Sequence, residues 1–190
     1  PDPRAGAYLD ALPPAYRSQG PDAQLGRTSA HYLVEEDGRI FRVVPEEKRA
    51  WHSGVAFWAG EKNVNAISIG IEIVNGGHDF GLPPYPDIQI AAVIELCRGI
   101  LSRWSIPPSR IVAHSDIAPD RKEDPGELFP WKRLAEAGIG LWPARARPAP
   151  WMMHGASPGD GGMTVEGFQR DLAAIGYKIS VTGTFDETTA

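Results

Sequence analysis

The run from Ala66 to Val74, AISIGIEIV, constrains the fold more than any other stretch of the chain. In an extended segment successive side chains point to opposite faces, so Ile67, Ile69, Ile71 and Ile73 share one face, and Ser68, Gly70, Glu72 and Val74 the other. A nearly continuous apolar run of this kind is expected as a strand deep in a sheet. The cover comes from Asp87 to Trp104, where Ile90, Ile94, Cys97, Leu101 and Trp104 recur at helical spacing as one buried stripe, with Pro86 suited to the first turn. Strand and helix together predict an α/β fold. Glu72 then stands out. An unpartnered carboxylate in a buried strand is costly, and Ser68 and Gly70 beside it leave room for a ligand. Glu72 is therefore read as a functional carboxylate.

The stretch Ile111 to Gly126, IVAHSDIAPDRKEDPG, is expected as a strand running into a polar loop. Ile111 and Ala113 face one way, Val112 and His114 the other, which puts His114 at the C-terminal end of the strand, where α/β sheets usually place their chemistry. If Lys122 to Asp124 is extended, Lys122 and Asp124 point the same way. The imidazole and the carboxylate are zinc-type ligands, and the ammonium can stabilise negative charge. A solvated loop is the plainer alternative, and Asp116, Asp120, Arg121, Glu123 and Glu127 fit it well. Two ligands do not make a zinc site.

Elsewhere the signals are local. Ala5 to Ala15 carries Tyr8, Leu9 and Leu12 at helical spacing before Pro13-Pro14, a short helix. Tyr32 to Val34, the turn signal Asp37-Gly38 and Arg39 to Val44 predict a hairpin on the sheet edge. Trp51-His52-Ser53-Gly54, followed by Phe57 and Trp58, fits a cleft wall or, equally, a loop anchored by tryptophan. Asn75 to Pro86, with His78, reads as a connecting loop. Trp131 to Ala137 is a short helix. Residues 143–163 are rich in Pro, Ala and Gly, a linker. Thr164 is placed to cap a last helix with Val165, Phe168, Leu172 and Ile175 on one face, closed by Gly176.

The totals exclude some classes. With 190 residues the chain suffices for one domain plus a small one. A net charge of −5 with no basic cluster argues against nucleic acid as a partner, and no apolar run has the length of a membrane span. The single cysteine, Cys97, rules out an internal disulfide and lies on the helix stripe as a core residue. The chain opens Pro1-Asp2-Pro3 without a signal peptide and stops at Thr188-Thr189-Ala190, where a new helix is about to start. Both ends are read as truncated.

Three segments in order, SAHYLVEEDGRIFRVVPEEKRAWHSG, SIGIEIVN and VAHSDIAPDRKEDPG, resemble the zinc-dependent N-acetylmuramoyl-L-alanine amidases of the amidase-2 type. That resemblance spans roughly residues 29–142 and implies a central mixed β-sheet flanked by helices. It implies cleavage of the amide bond between muramic acid and L-alanine in peptidoglycan or muropeptides, with Zn2+ as cofactor. By position it makes His114 and Asp124 zinc ligands and Glu72 the catalytic carboxylate. Lys122 becomes the basic residue near the scissile carbonyl, His52, next to Trp51, a residue on the substrate wall, and His31 a non-ligand. The family's first zinc histidine has no counterpart here, so the alternative is a peptidoglycan-recognition protein that binds without cutting. The tail, VEGFQRDLAAIGYKISVTGTFDETTA, resembles the start of a helical peptidoglycan-binding domain. The expected division is 1–142 catalytic, 143–163 linker and 164–190 a partial, all-helical binding domain. The combination resembles amidases of the bacterial cell envelope or periplasm more than cytoplasmic recycling enzymes.

Overall fold

The computed structural model describes residues 29–143 and 157–190. The helix expected over 5–15 and most of the linker lie outside them. Three short strands form a mixed sheet in the order β2-β1-β3. β1 (Tyr32–Val34) pairs antiparallel with β2 (Ile40–Arg42) through the turn at Asp37-Gly38, and parallel with β3 (Ile71–Ile73). The class is α/β, as expected. Gly38 takes φ +84, a conformation open to glycine at little cost.

The long helix, α1 (Asp87–Arg103), lies under the sheet and turns Ile90, Val93, Ile94, Cys97 and Ile100 inward. With Val34, Phe129, Leu134 and Ile139, the first four of these make the main core. Burying each large aliphatic side chain is worth about 1.5–3 kcal/mol. Trp104, expected on the stripe, instead caps the helix and donates its indole N–H to Glu46. Gln89 is fully buried, and its Nε2 donates to the carbonyls of Val34 (3.2 Å) and Val74 (2.7 Å), clamping the ends of β1 and β3. Two short helices follow, α2 (His114–Ile117) and α3 (Trp131–Glu136), and then α4 (Met163–Ile175).

Three expectations are corrected. The strand through Ile67 to Val74 is shorter than its apolar run. Val64–Ala66 is a 3-10 turn, Ile67 is 60% exposed, and only Ile71–Ile73 pair. A strand needs a neighbour at every step, and β1 supplies three residues. Among the described residues β3 is also an edge strand, not a central one. The parallel register gives the Glu72 backbone to β1, so Ile71 and Ile73 direct their N–H and C=O groups to the open side. Second, Ile111 to Ala113 is extended but unpaired among the described residues, and His114 opens a helix rather than ending a strand. The cause is Asp116, whose carboxylate accepts from the Ala113 N–H at 2.7 Å and turns the chain into a helical turn. Third, Thr164 does not cap α4, because the helix already starts at Met163 with Gly162 before it.

Residues 157–190 fold around Gln169, which is fully buried. Its amide donates to Thr182 Oγ1, the Thr184 carbonyl and Thr189 Oγ1, and accepts from the N–H groups of Thr182 and Gly183. This segment also touches the rest of the chain: the Ala59 N–H donates to the Gly176 carbonyl at 2.8 Å, and Tyr177 packs edge-on to Trp58.

Candidate functional site

α2 is one turn long, and an isolated turn of helix does not hold itself. Its neighbours hold it. The Phe57 N–H donates to the Ile117 carbonyl, and the Ser115 N–H donates to the backbone carbonyl of Asp124. The second bond brings the loop after α2 back against its start. As a result His114 Nδ1 lies 2.5 Å from Asp124 Oδ2. The other ring nitrogen, Nε2, is 3.1 Å from the carbonyl oxygen of His52. A carbonyl and a carboxylate can only accept, so in the metal-free protein Nε2 donates to His52 and Nδ1 donates to Asp124, and loss of the Nδ1 proton would leave a lone pair on the Asp124 side. Lys122 Nζ is 3.9 Å from Asp124 Oδ1. The expectation that Lys122 and Asp124 point the same way agrees with this geometry.

These groups border a cavity of about 670 Å³, which Glu72 and His52 also line. Its polar end holds Glu72, His114, Lys122 and Asp124, and its walls run on along the apolar faces of β3 and α1. Burial pushes the Glu72 pKa up and the Asp124 charge adds to the push, while His114 and Lys122 oppose it without cancelling it. A carboxyl held above the ordinary carboxylate range takes up a proton more readily than a free one. For His114 burial disfavours charge, but the hydrogen bond to Asp124 and the charges of Asp124 and Glu72 outweigh it, so its pKa is raised. Burial works against the Asp124 carboxylate too, yet the His114 hydrogen bond and charge bring its pKa down.

His52 is held by its backbone: the N–H groups of His52 and Ser53 both donate to Asn65 Oδ1. Its ring lies over Gly70, where a Cβ would come within 2.3–2.6 Å of ring atoms. Burial depresses its pKa to about 3, with His31 and His114 adding to the effect, so this imidazole is neutral at physiological pH. Trp51 does not line the cavity. Its N–H and carbonyl pair with Ser29, and its ring carries the Arg49 guanidinium 3.8 Å above it. His31 is fully buried with both nitrogens engaged, Nε2 toward the Lys48 carbonyl and Nδ1 accepting from the Gly70 N–H. His78 pairs with Glu123 and Glu127 on the surface.

Residues that the sequence did not single out hold the site together. Asn65 fixes His52. Arg121 grips the carbonyls of Ser53 and Val55 and ties the two loops of the site together. Asp116, read as a solvated loop residue, shapes the turn that presents His114. The short Asp116-to-Ala113 spacing was a detectable signal; nothing local marked the other two.

For zinc, His114 Nδ1 and Asp124 fit as a ligand pair: once Nδ1 gives up its proton, a ring nitrogen and a carboxylate converge, with the second ring nitrogen anchored on the His52 carbonyl as metal-bound histidines usually are. Among the described residues no group of three or more His, Cys, Asp or Glu side chains is placed to hold a metal ion.

A mixed sheet over a long helix thus lines one cavity with a carboxylate, a histidine–aspartate pair and a lysine. The chain belongs to the N-acetylmuramoyl-L-alanine amidase family (Amidase_2), whose profile matches residues 4–127. It is 44% identical over 133 residues to the N-acetylmuramoyl-L-alanine amidase AmiD of Escherichia coli, covering 64% of this chain and 48% of that protein. The chain thus spans about half of that relative's length. The 1,6-anhydro-N-acetylmuramyl-L-alanine amidase AmpD of Enterobacter cloacae is 38% identical over 135 residues, 68% of this chain and 70% of its own. The structure of E. coli AmiD in complex with anhydro-N-acetylmuramic acid-L-Ala-D-γ-Glu-L-Lys superposes with a TM-score of 0.67 at 38% identity, covering 84% of this chain and 68% of that one.

Proposed function

We propose that this chain is the working part of a zinc-dependent N-acetylmuramoyl-L-alanine amidase, which hydrolyses the amide between N-acetylmuramic acid and L-alanine in peptidoglycan or muropeptides. The observation that carries the reading is the meeting of Glu72, His114, Lys122 and Asp124 at one end of one cavity. His114 Nδ1 and Asp124 would supply two of the ligands of the metal. Bound zinc supplies Lewis acidity and brings the pKa of a water to about 7. Glu72 takes the proton of the attacking water and passes it to the leaving amine. The Lys122 ammonium stabilises the oxyanion of the tetrahedral intermediate, and the neutral His52 forms part of the wall against the substrate. The 164–190 segment serves as part of a peptidoglycan-binding unit joined through the 143–163 linker. That pairing fits an envelope amidase better than a cytoplasmic recycling enzyme.

Hydrolysis of a muropeptide with zinc present, with Glu72→Gln assayed beside it, tests the reading. The variant should lose about 100-fold or more in kcat with its fold intact. Turnover equal to wild type removes Glu72 from the role. Stripping the metal with a chelator should abolish hydrolysis, and added zinc should restore it. The two-ligand set favours a second reading, a chain that binds muropeptides without cutting them. Saturable muropeptide binding with no stoichiometric zinc uptake and no turnover would select it.

A further inference from the structure

One contact reaches the site from beyond the residues that the family profile matches. The Tyr177 hydroxyl, in the segment after α4, donates to Asp116 Oδ1 at 2.6 Å. Asp116 Oδ2 accepts from the Ala113 N–H at 2.7 Å, and His114 is the next residue. One carboxylate is thus held at both oxygens, on one side by the turn that presents His114 and on the other by a residue 61 positions away.

The surroundings make this a built contact. Tyr177 packs at 5.1 Å, edge-on, against Trp58, in an apolar cluster with Val64, Ile117, Ala118 and Val112. That cluster partly shields the hydrogen bond, which a carboxylate acceptor makes strong. The Gly176 carbonyl takes the Ala59 N–H, which fixes the register of Tyr177 against the loop that carries Trp58. The same loop supplies the Phe57 N–H to the carbonyl of Ile117, the last residue of α2. α2 is too short to orient itself, so its external ties set where His114 points.

We propose that Tyr177 is a positioning residue for His114, acting through Asp116, so that docking of the C-terminal segment is part of assembling the site. The idea rests on the amidase reading for its effect on turnover. Its structural half, that Tyr177 orders the Ala113–His114 turn, stands without metal or substrate.

The test is Tyr177→Phe in the full chain, which keeps the ring against Trp58 and removes the hydroxyl alone. Amide exchange is followed at Ala113 and through Ile117, together with the imidazole nitrogen shifts of His114, on metal-free protein. The expected result is about a tenfold loss of protection at Ala113 and a changed His114 nitrogen pattern. With zinc and a muropeptide, kcat falls by about tenfold at unchanged KM. Thr189→Val is the control. It strikes the Gln169 network of the same segment, and general loosening would move it as much as Tyr177→Phe, whereas positioning leaves its Ala113 protection near wild type. Unchanged Ala113 protection in Tyr177→Phe overturns the proposal whatever the activity does, as does lowered protection with unaltered kcat in an active enzyme. A wild-type chain that hydrolyses nothing overturns the amidase reading instead, and the exchange and nitrogen shifts then decide this inference alone.

Discussion

Glu46 has a side chain 2% exposed, and its two oxygens accept from Tyr32 Oη, Arg103 Nε and Nη2, and Trp104 Nε1 at 2.5–3.0 Å. The Arg103 hydrogen bonds contribute most to holding its pKa at about 2, against burial, with Tyr32 and Trp104 adding to them. A carboxyl depressed in the fold stabilises it fully above its unfolded pKa, near 4.5, and that stability is lost as pH falls toward 2. Glu46→Gln should therefore lower stability by on the order of 2 kcal/mol at pH 7 and flatten the fall between pH 4.5 and 2, as urea titrations across that range would register. A curve parallel to wild type below pH 4.5 would refute it. The neighbouring Glu47 is 67% exposed, and nothing in Pro45-Glu46-Glu47-Lys48 distinguishes the two. Partners 57 and 58 residues away decide it, and such partners leave no local trace. His114, Lys122 and Asp124 were legible as candidates because one loop carries all three, while the Ser115 to Asp124 backbone bond that folds this loop back left no trace in the sequence. Glu72 was legible because charge inside an apolar run conflicts with its neighbours. Gly70 gives a second prediction at this scale. A methyl there meets the His52 ring, the His52 carbonyl holds His114 Nε2, and Gly70→Ala should lower turnover at least tenfold while costing about 1–3 kcal/mol of stability. Turnover equal to wild type would show that the His52 loop absorbs the methyl.

Among the elements, the helix was the easiest to read and the strands the hardest. The α1 stripe repeats over 17 residues and needs no partner to be recognised. β3 ends where its partner does, and the apolar residues of Ile67 to Ile69 line the cavity instead of extending the ladder. Ile111 to Ala113 has the composition of a strand and the extended dihedrals, but strand identity lies in pairing, which composition cannot supply. What joins strands to helix is Gln89, a polar residue in the first turn of α1 that the sequence did not single out. Its amide satisfies the carbonyls of both Val34 and Val74, at the point where β1 and β3 end together. Gln89→Leu keeps the volume and removes both donors, leaving two buried acceptors with one bond fewer each. The cost should be about 1–3 kcal/mol in urea unfolding, with the denaturant slope unchanged. A variant as stable as wild type would mean that water reaches those carbonyls.

On the scale of the whole molecule, the C-terminal segment is joined to the site-bearing part by a small, specific contact. Gly176 ends α4 with φ +140, and a Cβ built on it would lie 2.8–3.1 Å from the Trp58 ring. Two requirements thus meet at one residue: a backbone conformation that L side chains rarely adopt, and an approach that leaves no room for a methyl. The Gly176 carbonyl at the same place takes the Ala59 N–H, so any retreat from Trp58 lengthens that bond as well. Gly176→Ala should undock the segment without unfolding either part, because Gln169 and its threonines bond to one another within the segment and the main core is built from other residues. Heating should then resolve two transitions where wild type gives one, and the Ala59 amide should lose protection at least tenfold while the amides bonded to Gln169 keep theirs. A single transition with Ala59 still protected would mean that Trp58 can rotate away and the contact survives the methyl. Loss of protection at Thr182 and Gly183 as well would mean that the segment borrows its own order from the docking, and that the two parts fold as one unit.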